Sequence, residues 1–252
     1  MPQAHRTIQV FPGNSELQQA AADHFLHHAS RAIEIRGQAD IALAGGSTPK
    51  ALYSLLASPP YCERLDWSKV HVFWGDERHV PPDHQDSNYR MAQQAMLSRL
   101  SIPAAQVHRM EGERPDVQKA ADEYETLLQK HFKMAPPHIP RFDFVFLGLG
   151  PDGHTASLFP GTPTIHEKEH WVAAPWVEKF HTHRITMTPV LLNQAVDIAF
   201  LVSGPDKSAA LHAVLEGPYQ PDEFPAQVIQ PAHGTVTWFL DDPAARQLAP
   251  PS

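Results

Sequence analysis

Asp152 and His154 stand two residues apart in FDFVFLGLGPDGHTASLFPG (142–161), so a carboxylate and an imidazole share one glycine-rich turn. An imidazole can take a proton from water and return it near neutral pH, and a carboxylate beside it can orient it. Gly148, Gly150 and Gly153 let the backbone turn sharply or approach a ligand closely. Further groups could act with this pair. Asp76, Glu77 and Arg78 bring three charges to the end of an apolar run. Gly45, Gly46, Ser47 and Thr48 offer backbone N–H groups, two hydroxyls and the positive end of a helix dipole, which suit a phosphate. Lys207 and Arg184 could complete such an anion site.

Each of these features also has a plain structural reading. A GGST turn is an ordinary helix N-terminus, a lone Lys or Arg is a solvated charge, and Asp76 to Arg78 can be a local ion pair. The Asp152 to His154 stretch can be a turn whose imidazole caps backbone groups. Two enzyme alternatives find less support. Asp152 and His154 could ligate a metal with His79 or Asp76, but the chain has no HExxH and no paired Cys/His framework. No G-x-S-x-G elbow surrounds Ser47 or Ser157, as a serine hydrolase would need, and the GGST turn lacks the spacing of a Walker A loop.

The elements that must position these groups follow a repeated pattern. Apolar runs at Ile41 to Ala44, Val70 to Trp74, Phe142 to Leu147 and Val196 to Val202 read as strands, and each ends in a glycine-bearing polar loop. Thr7 to Phe11 reads as an edge strand. Helical spacing runs from Ser15, taken as an N-cap, to Gly37, and recurs over Lys50 to Leu56, Ser87 to Leu97, Pro115 to Phe132, Pro189 to Asn193 and Asp206 to Leu215, with Ser87 a further N-cap. Strands alternating with helices predict an α/β fold, a single domain with a central, mainly parallel sheet flanked by helices on both faces. Ligands of such sheets bind beyond the carboxyl ends of the strands, so the four loops are expected to face one crevice. Pro136 to Pro140 reads as a surface connection, and residues 243–252 as a frayed tail.

Composition narrows the class. The chain has 252 residues, 42% hydrophobic, with a net charge of -8 and a single cysteine, Cys62. Without a basic stripe or a long apolar run, neither a nucleic-acid nor a membrane partner is expected. Cys62 has no neighbouring base and reads as a plain thiol. The start, MPQAHRTIQVF, has no signal-peptide character, which points to the cytoplasm.

Several long stretches then carry a resemblance: ALAGGSTPKALY (42–53), FWGDERHVPPDHQDSNYRMA (73–92), FDFVFLGLGPDGHTASLFPG (142–161), RITMTP (184–189) and FLVSGPDKSAAL (200–211), with FPAQVIQP (224–231) and WFLDD (238–242). In order and spacing the chain resembles the 6-phosphogluconolactonases of the oxidative pentose phosphate pathway. The resemblance implies hydrolysis of 6-phospho-D-glucono-1,5-lactone without metal or organic cofactor. It implies His154 as the base, Asp152 or Asp76 orienting it, and Arg78 on the developing oxyanion or the phosphate. Gly45, Gly46, Ser47, Thr48, Arg184 and Lys207 would hold the 6-phosphate. The expected partner is the sugar-phosphate lactone alone, and the expected state a monomer or small homo-oligomer. The related glucosamine-6-phosphate deaminases share the phosphate loop and the DGH turn. Thr155 to Pro160 and Gly75 to Arg78 nevertheless side with the lactonases. A deaminase or a non-catalytic sugar-phosphate sensor is the alternative.

Overall fold

The computed structural model describes residues 5–249. In chain order its regular elements are β1 (His5–Phe11), α1 (Asn14–Arg36), β2 (Ala39–Leu43), α2 (Ser47–Leu56), β3 (Val70–Trp74), β4 (Asp76–Arg78), α3 (Asn88–Ala95) and α4 (Val117–Phe132). There follow β5 (Phe144–Gly148), β6 (Val172–Ala173), β7 (Trp176–Val177), β8 (Thr182–Met187), α5 (Pro189–Leu192), β9 (Asp197–Val202), α6 (Ser208–Leu215), β10 (Thr235–Asp241) and α7 (Asp242–Ala245).

Six strands form one sheet in the order β1-β10-β9-β5-β2-β3. Every pairing in it is parallel. Strands β2 and β9 are buried along their whole length, which is why they read as continuous apolar runs rather than alternating ones. Helices cover both faces, as expected. One face packs Leu17, Phe25 and Leu52 of α1 and α2 and Ala92 of α3 against Ile41, Phe144 and Phe146. The other packs Ala121 and Leu128 of α4, with Leu191, Leu211 and Ala244 from the later helices, against Phe73, Val145, Ile198 and Phe200. Phe200 and Trp238 stack at 3.8 Å between ring centroids, so β9 and β10 meet through aromatic faces as well as backbone.

Four predicted features change. Helix α1 is capped by the extended backbone of Gly13, whose carbonyl accepts from Leu17 N–H, and Ser15 lies inside the first turn. Strand β10 completes the sheet between β1 and β9, a place the predicted strands left empty. A second, antiparallel sheet, β4-β8-β6 with β7 on β8, sits beyond Gly75 at the end of β3. Its strands β4, β6 and β7 have two or three residues each, too few to show a period of two. The stretch predicted to fray is held over 242–249: Asp241 caps α7, Ala244 is fully buried, and Ala249 N–H donates to Glu216. Residues 250–252 of that stretch lie outside the described residues.

Candidate active site

The central turn begins where β5 stops. Gly148 accepts from the Thr155 hydroxyl at 2.8 Å, and Gly150 N–H donates to the carbonyl of His154 at 2.8 Å, closing a loop that folds the imidazole back over Gly150. A Cβ on Gly150 would stand 2.0 Å from His154 Nδ1, so only glycine leaves the ring its place. Gly153 has φ +75°, in the left-handed region, and its carbonyl accepts from Ala226 N–H, which ties the FPAQ stretch under the turn. The opposite side of the ring stacks on Phe159, with centroids 4.1 Å apart.

His154 Nδ1 is hydrogen-bonded to Asp152 Oδ1, and Asp152 Oδ2 accepts from Lys179 Nζ at 2.8 Å. Burial disfavours the ionised Asp152, but the hydrogen bonds from His154 and Lys179 outweigh it and hold the carboxyl well below the usual carboxylate range. An ionised carboxylate only accepts, so the proton between the two lies on Nδ1 and the neutral ring leaves Nε2 with a free lone pair. Asp76, the other carboxylate considered for orienting His154, is occupied elsewhere. Its Oδ2 accepts from Ser157 Oγ at 2.7 Å, and its backbone carbonyl accepts from Asn88 Nδ2 at 2.9 Å. Asn88 in turn fills the space beside Gly45, where a Cβ would stand 2.0 Å from its Oδ1.

Glu77 faces inward, 2% exposed, and accepts from the backbone N–H groups of Arg78, Asn88 and Tyr89 at 2.7–2.8 Å. Burial pushes its carboxyl up, against the ionised form that these donors favour. The bonds from Asn88 and Tyr89 anchor β4 to the start of α3. Antiparallel pairing of β4 with β8 then sets Arg78 opposite Arg184. Burial, and next the charge of Arg78, push the Arg184 guanidinium below its ordinary value. Two cations held this close favour an anion between or beside them.

Two recesses meet here. One, of about 200 Å³, is lined by Gly45, Gly46, the Gly148 to Pro151 segment and Lys207. The other, of about 510 Å³, is lined by Phe159, Phe180, Thr182 and Arg184. Asp76, Arg78, His154 and Ala156 line both and form their common wall. The predicted groups thus converge, with Lys207 and the glycine turn on one side and Arg184 on the other. Ser47 and Thr48 form the first turn of α2 just behind Gly46 and do not line either recess. Lys207 pairs with Asp206 at 2.9 Å, and its loop is fastened by Asp241, which accepts from Ser203 Oγ and Gly204 N–H.

The match to known proteins falls on this frame. Residues 12–238 fit the model of the family described as glucosamine-6-phosphate isomerases/6-phosphogluconolactonase. The chain belongs to that family. All ten of the residues predicted for the site lie within the matched span. A 6-phosphogluconolactonase of Synechocystis sp. is 43% identical over 221 residues, covering 88% of this chain and 89% of that protein. One from Nostoc sp. is 39% identical and covers 97% of this chain and 99% of its own. The solved 6-phosphogluconolactonase of Trypanosoma brucei superposes with a TM-score of 0.84 at 29% identity, covering 98% of this chain and 100% of that one. Among the described residues of this family member, no helix is long and apolar enough to cross a membrane.

Sequence reasoning missed Lys179, Ser157 as the partner of Asp76, and the scaffold residues Glu77, Asn88 and Asp241. Lys179 comes from the β7–β8 connection and is distant in sequence from Asp152, so only the fold joins them. A clue existed for Asn88, because the glycine at 45 needs something close against it.

Proposed function

We propose that this chain hydrolyses 6-phospho-D-glucono-1,5-lactone to 6-phospho-D-gluconate, the reaction named for its relatives, with His154 activating the water. The observation that supports His154 most directly is its hydrogen bond to Asp152 on the wall common to both recesses. Nε2 takes a proton from water as the oxygen bonds to the lactone carbonyl carbon, and the carbonyl becomes a tetrahedral oxyanion. As the bond from that carbon to the ring oxygen breaks, the imidazolium returns the proton to the departing oxygen, so the enzyme ends as it began. Asp152 stabilises the transient imidazolium and fixes the ring's tautomer; Lys179 and Phe159 hold Asp152 and the ring in place.

Arg78 is the donor for the oxyanion, its position set by a hydrogen bond to the carbonyl of Asp86 at 2.7 Å. Gly45, Gly46 and Lys207 take the 6-phosphate at the positive end of α2, whose first turn Ser47 and Thr48 form behind them, and Arg184 approaches it from the second recess. This local charge works against an overall net charge of -8, so binding of the anionic substrate depends on the pocket rather than on the molecule's field.

The test is the rate of lactone loss with purified protein in the presence of a chelator, above spontaneous hydrolysis. Wild-type protein should accelerate it, and His154→Ala should lose at least a hundredfold in kcat while remaining folded. Near wild-type turnover by a folded His154→Ala variant would remove His154 from the mechanism.

A further inference from the structure

Three histidines meet at the opposite end of the sheet from the catalytic loops. His71 is the second residue of β3, His108 lies in the segment that pairs with β3, and His131 is in the last turn of α4. Their ligand atoms all lie within 4.8 Å of one another. His71 Nδ1 and His108 Nε2 are 3.2 Å apart, close to the ~3.3 Å that separates two nitrogens bound at about 2.0–2.1 Å to one tetrahedral ion. The rings of His108 and His131 also border a recess of about 650 Å³, so the cluster is reachable from solvent.

The surroundings are those of a ligating cluster. Asp40, 4% exposed, accepts from His131 Nε2 at 2.6 Å, the arrangement in which a carboxylate orients a metal-binding imidazole. Gln106 Oε1 is buried without a partner, while its Nε2 stands 3.4 Å from His71 Nε2. Turning that amide over lets Oε1 accept from His71 Nε2–H, which satisfies the orphaned oxygen and leaves the Nδ1 lone pair aimed at His108. A second grouping of this kind among the described residues, His24, His28 and Asp197, differs in that Asp197 is already taken by His24 and the Thr235 hydroxyl.

We propose that His71, His108 and His131, oriented by Gln106 and Asp40, form a binding site for a divalent first-row transition ion of the zinc class. Three imidazoles suit such an ion and not magnesium or calcium, which prefer oxygen. The site joins the edge strand β3, the 101–116 segment and α4, and it lies away from the lactone, so its role is to brace the fold. An ion that binds the native state alone stabilises it by mass action. The inference stands whether or not the reaction above is correct.

The experiment uses the full chain without an affinity tag, stripped of metal and titrated with Zn2+, followed by calorimetry and thermal unfolding. One equivalent should bind and raise Tm by several degrees, with no change in lactone hydrolysis. His71→Gln combined with His108→Gln should lose that equivalent, whereas His154→Ala keeps it. Equal binding by the double variant, or no binding by wild type, overturns the site. Should the double variant fail to fold, imidazole 15N resonances of wild-type protein decide. Zn2+-induced shifts confined to His71, His108 and His131 uphold the site, and shifts elsewhere or none refute it.

Discussion

At the scale of single residues, the site depends on how closely His154 is confined. Its ring lies between Phe159 and the bare backbone of Gly150, so its direction is set by packing as much as by Asp152. Gly150→Ala should therefore leave the fold intact, since Gly150 is not in the left-handed region, yet push the imidazole aside. We expect kcat to fall at least tenfold with an unchanged circular dichroism spectrum; unaltered kcat would show that the ring tolerates a shift. Asp152 leads to a prediction in pH. Its carboxyl is held below the usual range in the folded state, so the stability this contributes is complete above the unfolded value near 4 and is lost as pH falls through the folded value. Urea unfolding of wild type and Asp152→Asn should show a constant gap between pH 7 and 5 that narrows below about pH 4. A gap that widens in acid would contradict the assignment of an ionised Asp152.

At the scale of elements, the short strand β4 decides the chemistry more than its length suggests. Asp76, Glu77 and Arg78 read as a polar loop, and alternation along the strand sends Glu77 into the interior while Asp76 and Arg78 reach the recesses. Glu77 accepts from Asn88 and Tyr89 N–H at the turn into α3 and from Arg78 N–H in its own strand, using both carboxylate oxygens, so a glutamine would set its amide nitrogen against at least one of these donors. Glu77→Gln should cost about 1–3 kcal/mol in chemical denaturation. A loss under about 0.5 kcal/mol, the range of ordinary surface changes, would mean the anchor is dispensable. Strand β10 acts comparably at its far end, where Asp241 caps α7 and holds the Ser203 to Gly204 turn that leads to Lys207.

At the scale of the whole molecule, the C-terminal segment closes one face of the sheet. Ala244 and Leu248 join the cluster that α4 and α6 build over β5 and β9. Ending the chain after Asp241 removes that cover, α7 itself and the bond from Ala249 to Glu216. We expect a lower Tm and a loss of about 1–3 kcal/mol from the apolar area returned to water, with activity retained at low temperature. An unchanged Tm would restore the expectation that this segment frays.

Five of the sheet's six strands, the helices between them and the charged groups of the site other than Lys179 were legible in the sequence, because each rests on local signals. Apolar runs stop at glycine turns, Ser87 caps its helix with a hydroxyl, and DGH, GDER and GGST occupy the loops that a parallel sheet directs to one edge. What the tertiary structure decided are partnerships between residues far apart in the chain. Asp152 rather than Asp76 takes His154, since Ser157 and Asn88 occupy Asp76; Lys179 reaches Asp152 from another hairpin; Arg184 and Lys207 stand on different sides of one wall; and three histidines spread over 61 positions converge. Periodicity reports which face of an element is buried, but not which element will cover it. Contacts closed across long stretches of chain depend on strand order and on two- and three-residue strands whose pattern is too short to read.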